Sequence, residues 1–203
     1  MRVPIFPLGT VLFPGGVLPL RVFEARYMDM TRDCMKRGTP FGVCTIREGR
    51  EVGAPAVPEQ VGCLAHITDW DMQQLGVLNI RTRGGDRFRI LSREVASNGL
   101  ITAEVELLPP QPATPLDLQF APCRRLLERL IGDHGSDVFA EPHELDNAAW
   151  VGNRLSEVLP LPPPIRQELM EMDDSDQRLA FIMRLLADSP APGSSSAQDA
   201  AGQ

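Results

Sequence analysis

Lysine is almost missing from this chain. Lys36 is the single example in 203 residues, and the rest of the 20 basic side chains are arginines. It is followed by Arg37 and sits in no Gly-x-x-x-x-Gly-Lys loop, so the usual cradle for nucleotide phosphates is excluded. Neither a Gly-x-Ser-x-Gly elbow nor a dinucleotide-binding glycine fingerprint is present. Cys-x-x-Cys pairs are also missing. Cys34, Cys44, Cys63 and Cys123 lie mostly among apolar neighbours and read as reduced, buried thiols, without the clustered spacing a metal needs. His134 and His143, with Asp137 and Glu141 between them, read as a solvated acidic loop, with a weak cation site as the other reading. No apolar run approaches the ~18–20 residues of a membrane span. The apolar start after Arg2 is broken by prolines and has no small-x-small cleavage site, so it is not a secretion leader. A cytoplasmic protein is expected, with no cofactor and no metal. Aromatics make up 5% of the chain and the net charge is −7, which lacks the basic footprint of a general nucleic-acid binder.

What is present changes character along the chain. Pro4, Pro7, Pro14 and Pro19 forbid one helix at the start. The apolar runs between them, Val11 to Phe13 and Leu18 to Phe23, have the lengths of strands, with Gly15-Gly16 as a turn. From Glu24 the period becomes helical through Tyr27, Met30, Thr31 and Cys34, and Gly38 stops that helix. Strands are predicted at Phe41 to Ile46, Val61 to Thr68, Leu75 to Thr82, Phe88 to Val95 and Ile101 to Leu107. Residues 47–60 read as a loop. Gly84-Gly85-Asp86 and Asn98-Gly99 read as hairpin turns. After the proline-rich linker 109–115 the stripes are helical. Phe120, Cys123, Leu127, Leu130 and Ile131 form one, ended by Gly132, with Pro122 either starting that helix or kinking an earlier turn. Ala148, Val151, Leu155, Val158 and Leu159 form another, capped by Asp146 or Asn147. Ile165, Leu169 and Met172 follow the Pro162 to Pro164 break. Leu179, Ile182, Met183 and Leu186 form the last stripe, capped near Asp174 or Ser175. The expected organisation is a β domain over 1–112, a helical subdomain over 113–188 and a disordered tail over 189–203. Most of the acid excess falls in the helical part.

Candidate chemistry is sparse. His66 reads as a mostly buried ring with a polar partner. Asp69 and Asp71 form either a carboxylate pair or an acidic loop at a strand end. Arg81, Arg83, Arg87 and Arg89 would share one face of the proposed hairpin, with Leu78, Ile80, Phe88 and Ile90 facing inward. Such a face either binds carboxylates, phosphates or an acidic peptide, or is a solvated sheet surface. Trp70, Met72 and Leu75, in a predicted loop, either fold inward or offer an adaptable apolar surface.

Four ordered motifs resemble the N-terminal, substrate-recognition domain of the ATP-dependent Lon proteases. They are Pro4 with Phe6-Pro7-Leu8, Phe13-Pro14-Gly15, Leu18-Pro19-Leu20, Phe23-Glu24 and Arg26-Tyr27; then Gly62 to Ile67; then Gly84 to Ile90; then Leu159-Pro160-Leu161 with Arg166 to Glu171 and Arg178-Leu179. The resemblance covers most of residues 1–187. It implies an α+β protein, a PUA-like β pseudo-barrel followed by a C-terminal α-helical bundle. It implies a structural role for Glu24, Arg26 and Tyr27 in joining helix to barrel. The Ser-Lys dyad and the ATPase of a Lon protease do not come with it, because Lys36 suits neither. The implied function is non-enzymatic recognition of unfolded or hydrophobic polypeptide segments, with a separate protease or ATPase as a further partner. An RNA or nucleotide-binding module of the PUA-like class is the alternative. The 47–60 loop and the Pro162-Pro163-Pro164 run depart from the family pattern, which weakens any transfer of a ligand.

Overall fold

The computed structural model describes residues 1–188; the expected tail, 189–203, lies outside the described residues. Six strands form one mixed sheet: β1 (Arg2–Leu8), β2 (Val17–Val22), β3 (Phe41–Glu48), β4 (Val57–Gln74), β5 (Val77–Val95) and β6 (Ile101–Leu107). Their order is β2-β5-β4-β3-β1-β6, and β5 also pairs with β6. That extra pairing nearly closes five strands into a ring, with β2 added along the first half of β5. The helices follow: α2 (Ala121–His134), α3 (Ala148–Val158), α4 (Pro163–Glu171) and α5 (Ser175–Asp188), while α1 (Ala25–Arg37) lies between β2 and β3. The architecture is α+β, a pseudo-barrel followed by helices.

Local chemistry explains most boundaries. Gly38 takes the left-handed conformation (φ 64°) after α1, and its amide and that of Thr39 satisfy carbonyls of the last turn. Asn147 caps α3 by accepting from the amides of Ala149 and Trp150. Asp174 does the same for α5 through Asp176 and Gln177. The α2 stripe does not end at Gly132. It runs to His134 and stops at Gly135, whose φ is 66°.

Three strand expectations are corrected. β1 contains Pro4 and Pro7 and was hidden by them. It pairs with β6 over Arg2 to Ile5 and with β3 over Ile5 to Leu8. Each proline therefore meets a ladder on one flank only, the condition under which a strand tolerates a missing donor. Val11 to Phe13 are buried but form no strand. Gly84-Gly85-Asp86 is not a turn: β5 runs through it unbroken, and the hairpin closes at Leu75-Gly76, with Gly76 at φ 82°. Gly84 serves close approach instead. Its amide donates to Gly16 and its carbonyl accepts from Gly15, both at 2.8 Å, and a Cβ there would overlap the Phe13 carbonyl oxygen.

The core has three parts. Phe6, Tyr27, Met30, Cys34, Phe41 and Ile80 fill the space between the ring and α1. Ile5, Leu64, Phe88, Ile101 and Val105 fill the ring's other end. The third cluster is helical, built on Phe120, Leu127, Phe139, Val151, Leu155, Leu169 and Leu179, and it takes in Val11, Phe13 and Val61 from the β part.

Candidate functional site

β4 outruns its neighbour β3. β3 makes its last rung on β4 at Phe41–Ala65, whereas β4 continues on β5 to Gln74–Val77. On the flank of β4 away from β5, no strand among the described residues covers 66–74. Two expectations change as a result. His66, read as mostly buried, is exposed, because β3 stops one residue short of it. Trp70 and Met72, read as loop residues, lie in β4. They do not fold inward: Trp70 is 56% exposed, Met72 43% and Leu75 95%.

The register assigns their faces. Ile67 pairs with Thr82 and Trp70 with Ile80, both buried positions, so Ile67 and Trp70 lie on the inner face. Asp69 and Asp71 pair with Arg81 and Asn79 on the outer face. An irregular rung between Ile67 and Asp69 makes the change of parity. Between this inner face and the C-terminal end of α1 runs a groove of about 300 Å³, lined by Cys34, Met35, Thr39, Ile67 and Trp70 among others.

The four arginines are not brought together. Arg81 donates to the Asp137 carbonyl at 2.8 Å, with its carboxylate 3.7 Å from the guanidinium. Arg83 is half-buried and stands opposite His66. Arg89 is exposed at the far end, in register with Glu106, about 26 Å along the strand from Arg81. Arg87 is 3% exposed, covered by the C-terminal end of α4. Its guanidinium donates to the carbonyls of Met170 (3.0 Å) and Glu171 (3.3 Å) and pairs with Asp173. It thereby satisfies the open C-terminal end of α4.

Glu24, Arg26 and Tyr27 form one unit. Arg26 donates to Glu24 at 2.8 Å and to the Gly99 carbonyl at 3.2 Å, and its guanidinium lies 4.7 Å from the centre of the Tyr27 ring. Tyr27 stacks on Phe6 at 4.0 Å, and burial pushes its hydroxyl pKa up. These contacts tie the start of α1 to β1 and to the β5–β6 turn.

Sequence reasoning missed the buried polar groups beneath the helices. Arg154, 1% exposed, donates to the Pro14 carbonyl at 2.6 Å and to Glu157 at 3.2 Å. Burial raises Glu157 to about 7, against the pull of Arg154, a backbone hydrogen bond from Phe13 and Arg166. Arg178 is fully buried and donates to the carbonyls of Leu169 and Met172; burial lowers it to about 10, so it stays charged at neutral pH. Gln167 bridges Thr45 and the Val61 carbonyl. The match of Arg166 to Glu171 and Arg178 to a family motif signalled Gln167 and Arg178 but not Arg154 or Glu157, and the partners Pro14, Thr45 and Val61 are over 100 residues away in sequence. All four cysteines are buried, and burial raises each thiol, Cys123 to about 11. Among the described residues no group of His, Cys, Asp and Glu could hold a metal, and no helix is long and apolar enough to cross a membrane.

Known proteins resemble this arrangement over nearly its whole length. Residues 2–188 match the model of the ATP-dependent protease La (LON) substrate-binding domain. The Lon protease of Paraburkholderia phytofirmans is 25% identical over 185 residues, covering 87% of this chain but 23% of that protein. Protein cereblon of Gallus gallus is 28% identical over 111 residues, 53% of this chain and 24% of cereblon. The chain thus spans about a quarter of the length of these curated relatives. The crystal structure of a Lon N-terminal domain protein from Xanthomonas campestris is 39% identical with a TM-score of 0.76, covering 94% of this chain and 99% of that one. The N-terminal domain of Mycobacterium avium complex Lon protease shares the fold, with a TM-score of 0.65 at 17% identity over 93% of this chain and 99% of that one. With the family model matched from residue 2 to residue 188, the chain belongs to the Lon substrate-binding domain family.

Proposed function

We propose that this chain is a non-catalytic recognition module that binds exposed apolar segments of other polypeptides. One observation carries the reading: Trp70, Met72 and Leu75 stand exposed at the end of the β4–β5 hairpin, where β4 runs on past its last rung with β3. Three large apolar side chains at one tip are costly to leave in water unless something covers them. Trp supplies a rigid surface and Met an adaptable one, a combination suited to varied partners. The family's description as a substrate-binding domain agrees with this. Delivery of the bound segment to a separate protease or ATPase is the adaptor form of the same reading, with the acidic helical surface as the face that would dock.

Fluorescence anisotropy with labelled unfolded segments tests it. We expect micromolar binding that weakens at least about tenfold in the triple variant Trp70→Ala, Met72→Ala, Leu75→Ala, with an unchanged melting temperature. Failure to bind any unfolded segment, or equal binding by the variant, would defeat the proposal. A single-stranded RNA measured alongside at low salt should give no signal; strong, salt-sensitive RNA binding would favour the nucleic-acid alternative instead.

A further inference from the structure

We infer that the uncovered flank of β4, residues 66–74, is a strand-addition site for an extended polypeptide segment that alternates apolar and basic side chains. The inference rests on the recognition reading above and adds to it the binding mode and the kind of segment. β4 is hydrogen-bonded to β5 down to Gln74, while β3 leaves it at Ala65. Of the nine residues beyond, alternate ones turn backbone donors and acceptors to this flank along about 30 Å, with no strand among the described residues on that side, and the Trp70 amide donates locally to Asp69. An extended chain laid there completes a ladder, which only another polypeptide backbone can do.

The two faces of the edge then select the side chains of the guest. On one face Ile67 and Trp70 line the groove against the end of α1, whose volume of about 300 Å³ accepts one or two apolar side chains. Lys36 and Arg37, in the last turn of α1, do not line it. Asp69 and Asp71 pair with Arg81 and Asn79 on the other face; Asp69 also borders the groove and its Oδ1 accepts from the Trp70 amide at 2.9 Å, and neither carboxylate makes an ion pair among the described residues. Side chains of an added strand alternate between the faces, so an apolar residue in the groove is followed by one beside a carboxylate. Lysine or arginine there is favoured, and aspartate or glutamate is repelled. The same carboxylates argue against a second copy of this chain as the guest. Two such edges side by side would bring like charges together, a common device against edge-to-edge association.

Amide hydrogen exchange and anisotropy on the full chain test this with designed peptides. The first alternates leucine and lysine. A second carries glutamate in place of lysine. A third is N-methylated on the alternate residues whose amides would face β4, and a fourth on the opposite set. The expected results are slowed exchange confined to 66–74, about tenfold or greater loss with the third peptide and little loss with the fourth. Asp69→Lys combined with Asp71→Lys should reverse the preference toward the glutamate peptide. Binding that survives both N-methylations, or protection located elsewhere, would overturn strand addition while leaving general peptide recognition standing. Protection of 66–74 without peptide, growing with protein concentration, would assign the edge to a second copy and overturn the inference. No binding by any peptide would end both this inference and the reading it rests on.

Discussion

Glu157 shows how a single side chain here sets a pH dependence. Its carboxyl is shut away beside Arg154 and holds its proton up to about 7, against the usual 4.5. The folded state therefore binds that proton more tightly than the unfolded chain does. The stability this contributes is complete below 4.5 and is lost as pH rises through 7. The Glu157→Gln variant removes the titration. The melting temperature of the native protein, relative to that variant, should fall as pH climbs through this window; parallel curves would refute the assignment. Such a group is invisible in sequence, where Glu157 is one of 27 acidic residues. Arg87 was misplaced for the same reason. Alternation along a strand puts it beside Arg89 on a wet face, but the opposite faces of neighbouring residues do not reveal which face a helix will later cover.

At the scale of elements, legibility followed the length of chain over which each signal acts. The ends of α1, α3 and α5 were readable because Gly38, Asn147 and Asp174 act on amides or carbonyls within a few residues. β6 and its preceding Asn98-Gly99 turn were readable likewise. Gly84-Gly85 was not, because paired glycines serve equally for a turn and for close backbone approach, and Phe13, which decides between them, is 71 residues away in sequence. The prediction that follows is specific to Gly84. Gly84→Ala must push apart the 13–16 segment and β5, and should lower the urea midpoint by an amount worth about 1–3 kcal/mol. Gly76→Ala, at a left-handed turn position with open space around it, should cost less. Equal effects would show that conformation, and not contact, governs both glycines. The uncovered flank of β4 was equally beyond reach of sequence, since it is defined by where another strand stops.

For the whole molecule, composition changes at the 109–115 linker between the β part and the helical part. The core, however, runs across that change: Val11, Phe13 and Val61 pack into the helical cluster. Arg87, Arg154 and Gln167 tie β-part and helical-part atoms by hydrogen bonds. We expect far-UV circular dichroism and tryptophan fluorescence to report one coincident unfolding transition. Arg87→Ala leaves the carbonyls of Met170 and Glu171 without a donor and should destabilise the whole chain by about 2–4 kcal/mol. Arg87→Lys should rescue little, because one ammonium cannot span the same acceptors. Two separate transitions in the native protein would contradict this coupling. The corner between α4 and α5 shows what the coupling means mechanically. The peptide oxygen of Met172 accepts from Arg87 on a strand, Gln111 on the linker and Arg178 on the last helix. Displacing α5 at that corner therefore strains hydrogen bonds to β5 and to the linker together.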